Sequence, residues 1–375
     1  MPIYANQDLV AQSDEMEGWN TPLNRRASFH NLHRIIRYGF SVRAPDVLKL
    51  TSCIDARIAE LGSVQQMCSS DFFSAMVVLR GEQLVYEQYA PDFAPHQAHT
   101  IMSITKTMTH LIMGRCVEDG LIDLNAKVCD YLPEIGSGYA DAIIQNVLDM
   151  NIVNDYSEDY SDLHTTALLH NASMGWRLPA ADTSPTSNRD FLCTIESNDL
   201  LNRSGEVNYK SASTDVLAWI AERVSGQALR DHLIRIVEAA GIEHTFYMST
   251  DHTAVPNTNG GACLSPRDLA RLGLIFARRG RGINGKLVGS HTFMDAARRC
   301  TGPTYPPPDN HIHYGNQLKT NGRWVGHGGW GGQLLMVDPE TTTVVVFFSV
   351  LENQSASDDN HSRAIVQMAE EVIGC

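Results

Sequence analysis

The stretch His99-Thr-Ile-Met-Ser-Ile-Thr-Lys-Thr-Met-Thr-His-Leu-Ile-Met-Gly-Arg-Cys-Val-Glu-Asp-Gly120 contains the pattern Ser103-Ile-Thr-Lys106 at the start of an apolar repeat. From Met102 onward apolar residues recur at helical spacing, which predicts a buried helix that begins near Ser103. Side chains three residues apart on a helix share a face, with Cβ atoms about 5–6 Å apart. The ammonium group of Lys106 is therefore expected within hydrogen-bonding distance of the Ser103 hydroxyl.

Ser103 and Lys106 are residue types that serve as a nucleophile and as the base that activates it. Burial disfavours the charged form of a lysine, and the free N–H groups of a helix start favour negative charge on a serine. Lys106 would then act as the base for Ser103. The same pattern also fits a capping serine followed by a solvated lysine. Of six lysines in the chain, only Lys106 has a serine three residues before it, which shifts the balance slightly towards catalysis.

Composition excludes several classes of protein. The 375 residues are 43% hydrophobic and 19% charged, which is typical of a globular protein. The sequence lacks both the roughly 20 uninterrupted apolar residues of a membrane span and a recognisable signal region, so we expect a cytoplasmic protein. The net charge of −14 argues against nucleic acid or an anionic membrane as a partner.

Neither a metal nor a cofactor is expected. The eight cysteines are scattered without a C-x-x-C pair, which favours reduced thiols in the core. The 15 histidines include no H-E-x-x-H motif. His311 and His313 follow a proline-rich segment that is typical of a loop.

Strand-like sequence at both ends of the chain surrounds a helical middle. The predicted strands lie within 72–89 and 314–350. We therefore predict an α/β fold in which both chain halves form one antiparallel sheet flanked by helices. The predicted divisions are an irregular N-terminal arm at 1–45, a sheet domain at 46–104 and 240–375, and an inserted, mostly helical domain at 105–239.

Local apolar patterns predict individual elements. A hairpin is expected from Phe72–Leu79 and Gln83–Tyr89. Helical spacing after an aspartate predicts a capped helix over Asp46–Leu61, and Tyr314–Lys319 is predicted to be one strand before an Asn321-Gly322 turn. Further helices are predicted at Ile144–Met150, Thr166–Ala172, Thr214–Ser225, Ser265–Gly280 and Ser362–Ile373.

Two later segments add candidate site residues. Asn208-Tyr-Lys-Ser211 opens a predicted helix, and Tyr209 is either an ordinary buried tyrosine or the partner of Lys106 that relays a proton to a leaving group. Gly326-His-Gly-Gly-Trp-Gly-Gly-Gln333 has five glycines in eight residues between two predicted strands. It is either a packed bend or a place where a backbone N–H meets a substrate oxyanion.

Together these segments resemble a known superfamily. Ser103-x-x-Lys106, Tyr209-x-Ser211 and His327-Gly-Gly329 occur in the order of the motifs S-x-x-K, Y-x-N or S-x-N, and K-T-G of serine β-lactamases and DD-peptidases. The connecting segments that look like class C β-lactamases and family VIII esterase-like hydrolases are 120–134, 265–271 and 337–340. Those that look like the 6-aminohexanoate-dimer (nylon oligomer) hydrolases are 147–150, 157–160, 329–333 and the arm at 19–29.

The resemblance implies a mechanism. Ser103 would be the nucleophile, Lys106 its base and Tyr209 the proton donor to the leaving group. The backbone N–H groups of Ser103 and Trp330 would form the oxyanion hole, which typically lowers the barrier by about 3–4 kcal/mol per donor. A small amide or ester would acylate Ser103, and water would hydrolyse the acyl-enzyme without a cofactor. The expected partners are this small molecule and a second copy of the chain in a homodimer.

The resemblance also implies substrate-binding residues, namely Tyr160, Ser211, His327, Gly328 and Gly329. Histidine replaces the lysine of K-T-G at position 327, and Lys319-Thr-Asn-Gly322 is assigned to a turn outside the site. We therefore expect weak recognition of substrate carboxylates and faster cleavage of simple esters and amides than of β-lactams. The alternatives are a β-lactamase or DD-peptidase and a non-catalytic sensor or scaffold, against which the complete Ser-Lys-Tyr set argues.

Overall fold

The strands form two sheets in the computed structural model, which describes residues 13–159, 162, 165–178 and 186–375. The strands are β1 Gly39–Val42, β2 Thr51–Ser52, β3 Phe73–Arg80, β4 Gln83–Tyr89, β5 His99–Thr100, β6 Phe246–Ser249, β7 Ala262–Leu264, β8 His313–Gly315, β9 Leu318–Thr320, β10 Val325–Gly329, β11 Gln333–Asp338 and β12 Thr343–Ser349. The large sheet has the order β2-β4-β3-β12-β11-β10-β9-β8, and the small one β1-β6-β7-β5.

Helices cover the sheets and form the middle of the chain. They are α1 Ser13–Gly18, α2 Pro22–Phe29, α3 Leu32–Ile35, α4 Ala56–Glu60, α5 Gly62–Cys68, α6 Lys106–Glu118, α7 Ile144–Leu148, α8 Thr166–Ser173, α9 Asn188–Leu192, α10 Ser211–Ser225, α11 Leu229–Ala240, α12 Pro266–Ala277, α13 His291–Arg298 and α14 Asp359–Gly374. Within the described ranges, every helix is too short or too polar to cross a bilayer.

The predicted sheet built from both chain halves is confirmed. Strand β3 pairs with β4 in the predicted hairpin and with β12 from the far end of the sequence, both antiparallel. All residues of β12 are buried, because α12 and α14 pack against it. Each fully buried valine or phenylalanine of such a strand contributes about 1.5–3 kcal/mol through loss of water-exposed apolar area. One hydrophobic cluster runs through both predicted domains, so the boundary between them stays a prediction.

Two helix starts meet beside the sheet. Helix α6 follows a 3-10 turn at Met102–Thr105 and packs against α10, and most of its residues are buried. The first residue of α6 is Lys106, and the first residue of α10 is Ser211. Their packing therefore places the two predicted motifs, S-x-x-K and Y-x-S, next to each other.

The predicted helix over Asp46–Leu61 is wrong over most of its length. Residues Thr51 and Ser52 pair in parallel with β4, and the N–H groups of Cys53 and Asp55 donate to Leu84 and Val85 carbonyls. The edge of β4 thus satisfies backbone groups that a helix would have had to bond internally. Only α4 is helical there, starting after Asp55, whose carboxylate accepts the Arg57 N–H.

The predicted strand Tyr314–Lys319 is instead a hairpin of β8 and β9. Asn316 and Gln317 form its two-residue turn with φ of 50° and 65°. Side-chain and backbone bonds hold this turn, since Thr214 donates to Gln317 Oε1 at 2.6 Å and Gln317 N–H donates to the Leu148 carbonyl at 2.9 Å. These partners lie far away in sequence, and the sequence pattern therefore missed the turn.

The described part of the predicted irregular arm is largely helical and packs near the glycine-rich segment. Phe29 at the end of α2 lies 6.2 Å from the Trp330 ring, between ring centroids. Trp19 meets Trp176 edge-on at 6.1 Å, and its indole N–H donates to the Trp176 carbonyl. These aromatic side chains form a second small core beside Met102, the residue before Ser103.

Candidate active site

Ser103 lies in the 3-10 turn before α6 and lines a cavity of about 470 Å³. The preceding residue, Met102, has φ of 43°, a left-handed conformation that costs a non-glycine residue about 1–3 kcal/mol. Such a conformation persists only where the surrounding structure holds it, and functional sites are enriched in it. Tyr209, Lys319 and His327 line the same cavity.

Lys106 is fully buried and makes three hydrogen bonds. Its ammonium donates to Ser103 Oγ at 3.0 Å, to Ser211 Oγ at 3.0 Å and to the Asn259 carbonyl at 2.6 Å. Burial lowers the pKa of Lys106 to about 8, although the carboxylates of Glu158 and Asp215 oppose this change. Near neutral pH about a tenth of Lys106 is therefore uncharged and able to accept a proton, a far larger fraction than for a lysine of ordinary pKa.

A buried carboxylate orients the loop that holds Lys106. Asp215 accepts hydrogen bonds from the Asn259 backbone N–H at 3.1 Å and its side-chain amide at 2.6 Å. Burial favours the neutral acid, but interactions with His170 and Asn188 keep the pKa of Asp215 below its ordinary value. The anion thus fixes Asn259, whose carbonyl accepts from Lys106. Sequence reasoning missed both residues, since only the fold brings positions 215 and 259 together.

Tyr209 lies beside Ser103 and Lys106. Its ring centroid is 5.1 Å from Lys106 Nζ. Its buried hydroxyl faces Ser103 and makes no hydrogen bond of ordinary geometry with any residue that the structure describes. Burial raises the pKa of Tyr209 well above 10, and the nearby Tyr314 and Glu158 add to this. The phenol therefore keeps its proton and is able to donate it.

His327 on β10 is buried and uncharged. Its Nδ1 is 2.6 Å from the Gly328 carbonyl, which only accepts, so Nδ1 is assigned the proton. Nε2 then accepts from the Tyr314 hydroxyl at 3.2 Å. Burial, with the cations Lys319 and Lys106, keeps the pKa of His327 well below 6.5. Both ring nitrogens are hydrogen-bonded within the protein.

The glycines of β10 allow the strand to pass close to the 3-10 turn that contains Ser103. A Cβ atom on Gly329 would lie 2.8 Å from the Ile101 carbonyl oxygen and 2.4 Å from Gln333 Oε1. After β10 the chain turns through Gly331 and Gly332, with φ of 96° and 103°. Ser103, Gly328, Gly329 and Trp330 all line the large cavity. The oxyanion hole of Ser103 and Trp330 N–H groups stays a prediction.

Lys319 corrects the interpretation of Lys319-Thr-Asn-Gly322. The turn exists, with Gly322 at φ of 90°, but Lys319 precedes it on β9 and lines the large cavity. Its Nζ lies 4.5 Å from the Tyr305 ring centroid and 3.7 Å from the place that a Cβ on Gly328 would occupy. A cation therefore lies next to β10, although the K-T-G position itself has His327.

A second, smaller cavity of about 40 Å³ lies at Ser103. Its lining includes aromatic side chains and two hydrogen-bond partners of Lys106. These residues are Trp19, Tyr156, Trp176, Ser211, Asn259 and Trp330. Tyr209 and Lys319 line only the large cavity. Ser103 and Trp330 border both, so a molecule bound across them would extend into two different environments.

The remaining predicted residues are placed as follows. Ser211 begins α10, accepts from Lys106, and donates its N–H to the Glu158 carboxylate. Tyr160, two residues after Glu158, lies outside the described residues. Among the residues that are described, no three His, Cys, Asp or Glu side chains are grouped as a metal site requires.

Comparison with known proteins adds three findings. The family model described as Beta-lactamase matches residues 73–369. The 6-aminohexanoate-dimer hydrolase of Paenarthrobacter ureafaciens is 32% identical over 362 residues, which cover 91% of this chain and 89% of that protein. A solved structure from Bacillus anthracis, provisionally named 6-aminohexanoate-dimer hydrolase, has a TM-score of 0.82 at 20% identity and covers 98% of this chain and 97% of its own.

A more distant structural neighbour has the same fold. The structure of a penicillin-binding protein homologue from Caulobacter crescentus has a TM-score of 0.62 at 15% identity, over 88% of this chain and 99% of that one. Identity at this level supports the fold alone. The resemblance that the three motifs predicted is confirmed by the family model and by the curated relative.

Proposed function

This chain belongs to the beta-lactamase family and is a serine hydrolase, and we propose that it cleaves small linear amides or esters through an acyl-enzyme on Ser103. One observation carries the proposal. Lys106 Nζ and Ser103 Oγ are 3.0 Å apart at a cavity of about 470 Å³, a size that suits a small-molecule substrate. A buried lysine with a lowered pKa at this distance is able to activate a serine.

Acylation would move the acyl group from the leaving group to Ser103, with proton transfers through Lys106 and Tyr209. Uncharged Lys106 accepts the hydroxyl proton while Ser103 Oγ bonds to the substrate carbonyl carbon. The carbonyl oxygen becomes an oxyanion, which the N–H groups of Ser103 and Trp330 stabilise. As the C–N or C–O bond breaks, Tyr209 protonates the leaving group and recovers a proton from Lys106. Water then replaces the leaving group and releases the acid by the reverse proton path.

The relatives support the substrate class. The name of the Paenarthrobacter ureafaciens relative specifies a dimer of 6-aminohexanoate, which is a linear amide. The test is a panel of linear amides, nitrophenyl esters and β-lactams assayed with the purified chain. We expect turnover of linear amides or esters that an active-site fluorophosphonate probe blocks. Turnover of β-lactams alone would contradict the proposal and favour a β-lactamase.

Replacing Tyr209 by phenylalanine should separate catalysis from stability. The hydroxyl makes no hydrogen bond of ordinary geometry with a described residue, so we expect its removal to leave the melting temperature unchanged or slightly higher. Loss of the proton donor should lower kcat by about 10²- to 10⁴-fold. Steady-state kinetics and thermal unfolding of the same preparation measure both quantities.

Tyr139→Phe is the matched control for Tyr209→Phe. Tyr139 is also buried, but its hydroxyl is 3.2 Å from Ser213 Oγ and outside both cavities. Its replacement should cost about 1 kcal/mol of unfolding free energy and leave kcat unchanged. Near-normal kcat in Tyr209→Phe would show that Tyr209 is not the proton donor.

The pH dependence should follow Lys106. Its folded-state pKa of about 8 means that the base is protonated below this pH and free above it. The kcat/KM for a neutral ester should therefore rise with pH, reach half of its maximum near pH 8 and level off about one pH unit above that. Glu158→Gln should shift the midpoint to lower pH, because the Glu158 carboxylate raises the pKa of Lys106. A flat profile between about pH 6.5 and 9 would contradict Lys106 as the base.

A further inference from the structure

Lys319 is the one lysine that lines the large cavity, and it has no hydrogen-bond or ion-pair partner among the described residues. Lys106 and Lys210 are also largely buried, and each donates to backbone carbonyls, at 2.6 Å to Asn259 and 2.6 Å to Tyr156 respectively. Lys319 makes no hydrogen bond and no ion pair within the described part of the chain, and its described contact is the Tyr305 ring at 4.5 Å. Its ammonium therefore lies in the large cavity with unused donors.

Lys319 forms no ion pair with the described carboxylates that line its cavity, which are Glu158, Asp309, Asp359 and Glu370. Asp309 lines the same cavity, but its carboxylate pairs with Arg363 at 3.3 Å. Burial lowers the pKa of Lys319 to about 8 although Asp309 opposes this, so the amine is mostly protonated near neutral pH. A largely buried cation without a partner costs free energy, which an anionic ligand at the same place would recover.

We propose that Lys319 binds a carboxylate on the leaving-group part of the substrate. This inference rests on the proposed acyl-enzyme mechanism and narrows its substrates to amides or esters whose released amine or alcohol carries a negative charge. Charge-assisted hydrogen bonds from an ammonium group to a carboxylate are among the stronger polar contacts in proteins.

The position of Tyr209 indicates which of the two cavities holds the leaving-group part of the substrate. Tyr209 must face the leaving group to protonate it, and it lines the large cavity but not the small one. Lys319 lines the large cavity as well, so the leaving-group part and Lys319 share one space. The acyl part would then extend towards the small, aromatic cavity on the other side of Ser103.

Strand geometry gives the approximate distance between the bound carboxylate and the reacting carbonyl group. Lys319 lies opposite Gly326 in the β9–β10 pairing, and its Nζ is 3.7 Å from the position that a Cβ atom on Gly328 would occupy. Gly328 is two residues before Trp330, which corresponds to about 7 Å along a strand. The carboxylate should therefore lie about 7 Å from the reacting carbonyl, a distance that a para-substituted benzoate or a short aliphatic chain spans.

A matched pair of esters tests this inference. 4-Acetoxybenzoate and 4-acetoxybenzamide have the same acyl group and nearly the same shape, but only the first has a charged leaving group. The unmodified chain should favour the benzoate, and Lys319→Met should lower the ratio of the two kcat/KM values by about 10- to 100-fold. Lys319→Arg should retain most of the preference. Lys286→Met, at a lysine paired with Glu238 outside both cavities, should leave the ratio unchanged.

The outcomes separate this inference from the proposed function. If both esters are cleaved and the ratio in Lys319→Met equals that of the unmodified chain, Lys319 is not the anion site although the hydrolase proposal stands. If neither ester is cleaved, calorimetry with 4-hydroxybenzoate and 4-hydroxybenzamide decides without catalysis. Tighter binding of the benzoate that Lys319→Met abolishes supports the site, and equal binding of the two overturns it.

Discussion

Ser103→Ala is expected to remove hydrolysis of nitrophenyl esters almost completely, with kcat falling by roughly four to six orders of magnitude. The alanine has no oxygen with which to form the acyl-enzyme. The fold should persist, because Lys106 keeps its hydrogen bonds to Ser211 and Asn259 and a serine at a helix start contributes only about 1 kcal/mol. Steady-state rates and the thermal unfolding curve measure the two effects.

Ser213→Ala is the matched control for this variant. Ser213 is a fully buried serine of α10 whose hydroxyl is 3.2 Å from the Tyr139 hydroxyl, away from both cavities. Its loss should reduce stability by about 1 kcal/mol without changing kcat. An active Ser103→Ala enzyme with the same substrate would mean that another residue is the nucleophile.

Lys106→Arg is expected to lower kcat by about 10³-fold or more although the positive charge is kept. Arginine is protonated at every accessible pH and accepts no proton from Ser103, whereas Lys106 has a pKa of about 8. Activity should not recover at higher pH. Circular dichroism and a labelling assay with a fluorophosphonate probe show whether the variant is folded and whether Ser103 still displaces fluoride from the probe.

Lys210→Arg is the control for the substitution at Lys106. Burial lowers the pKa of Lys210 to about 8 as well, but its ammonium donates to the Tyr156 carbonyl and not to Ser103. We expect this variant to keep kcat within a few-fold of the unmodified chain. If Lys106→Arg is equally active, Lys106 supplies only charge or structure, and the base must be another group.

Local spacing was enough to predict the serine and lysine pair. Residues three apart at a helix start meet whatever the rest of the chain does, and the observed Ser103–Lys106 distance is 3.0 Å. The helix after Ser265 was predictable for the same reason, since its capping serine and first-turn proline act within a few residues. The order of the predicted strands and helices was enough to predict that both chain halves contribute strands to one sheet.

Features that depend on distant contacts could not be predicted. The position of Lys319 follows from the β8–β9 turn at Asn316 and Gln317, which partners in other elements hold. No local pattern at Lys319 indicates a cavity, and its segment looked like a turn. The expectation that the site recognises carboxylates weakly considered only the K-T-G position and omitted this lysine. The Asp215–Asn259 network was missed for the same reason.

Mass spectrometry of the trapped intermediate tests the central claim most directly. The chain is mixed with a slowly hydrolysed nitrophenyl ester, quenched in acid during turnover, digested and sequenced by tandem fragmentation. We predict one added acyl group on the peptide that contains Ser103, assigned to that residue and absent from Ser103→Ala. An acyl group on any other residue, or continued turnover without an adduct on Ser103, would contradict the account.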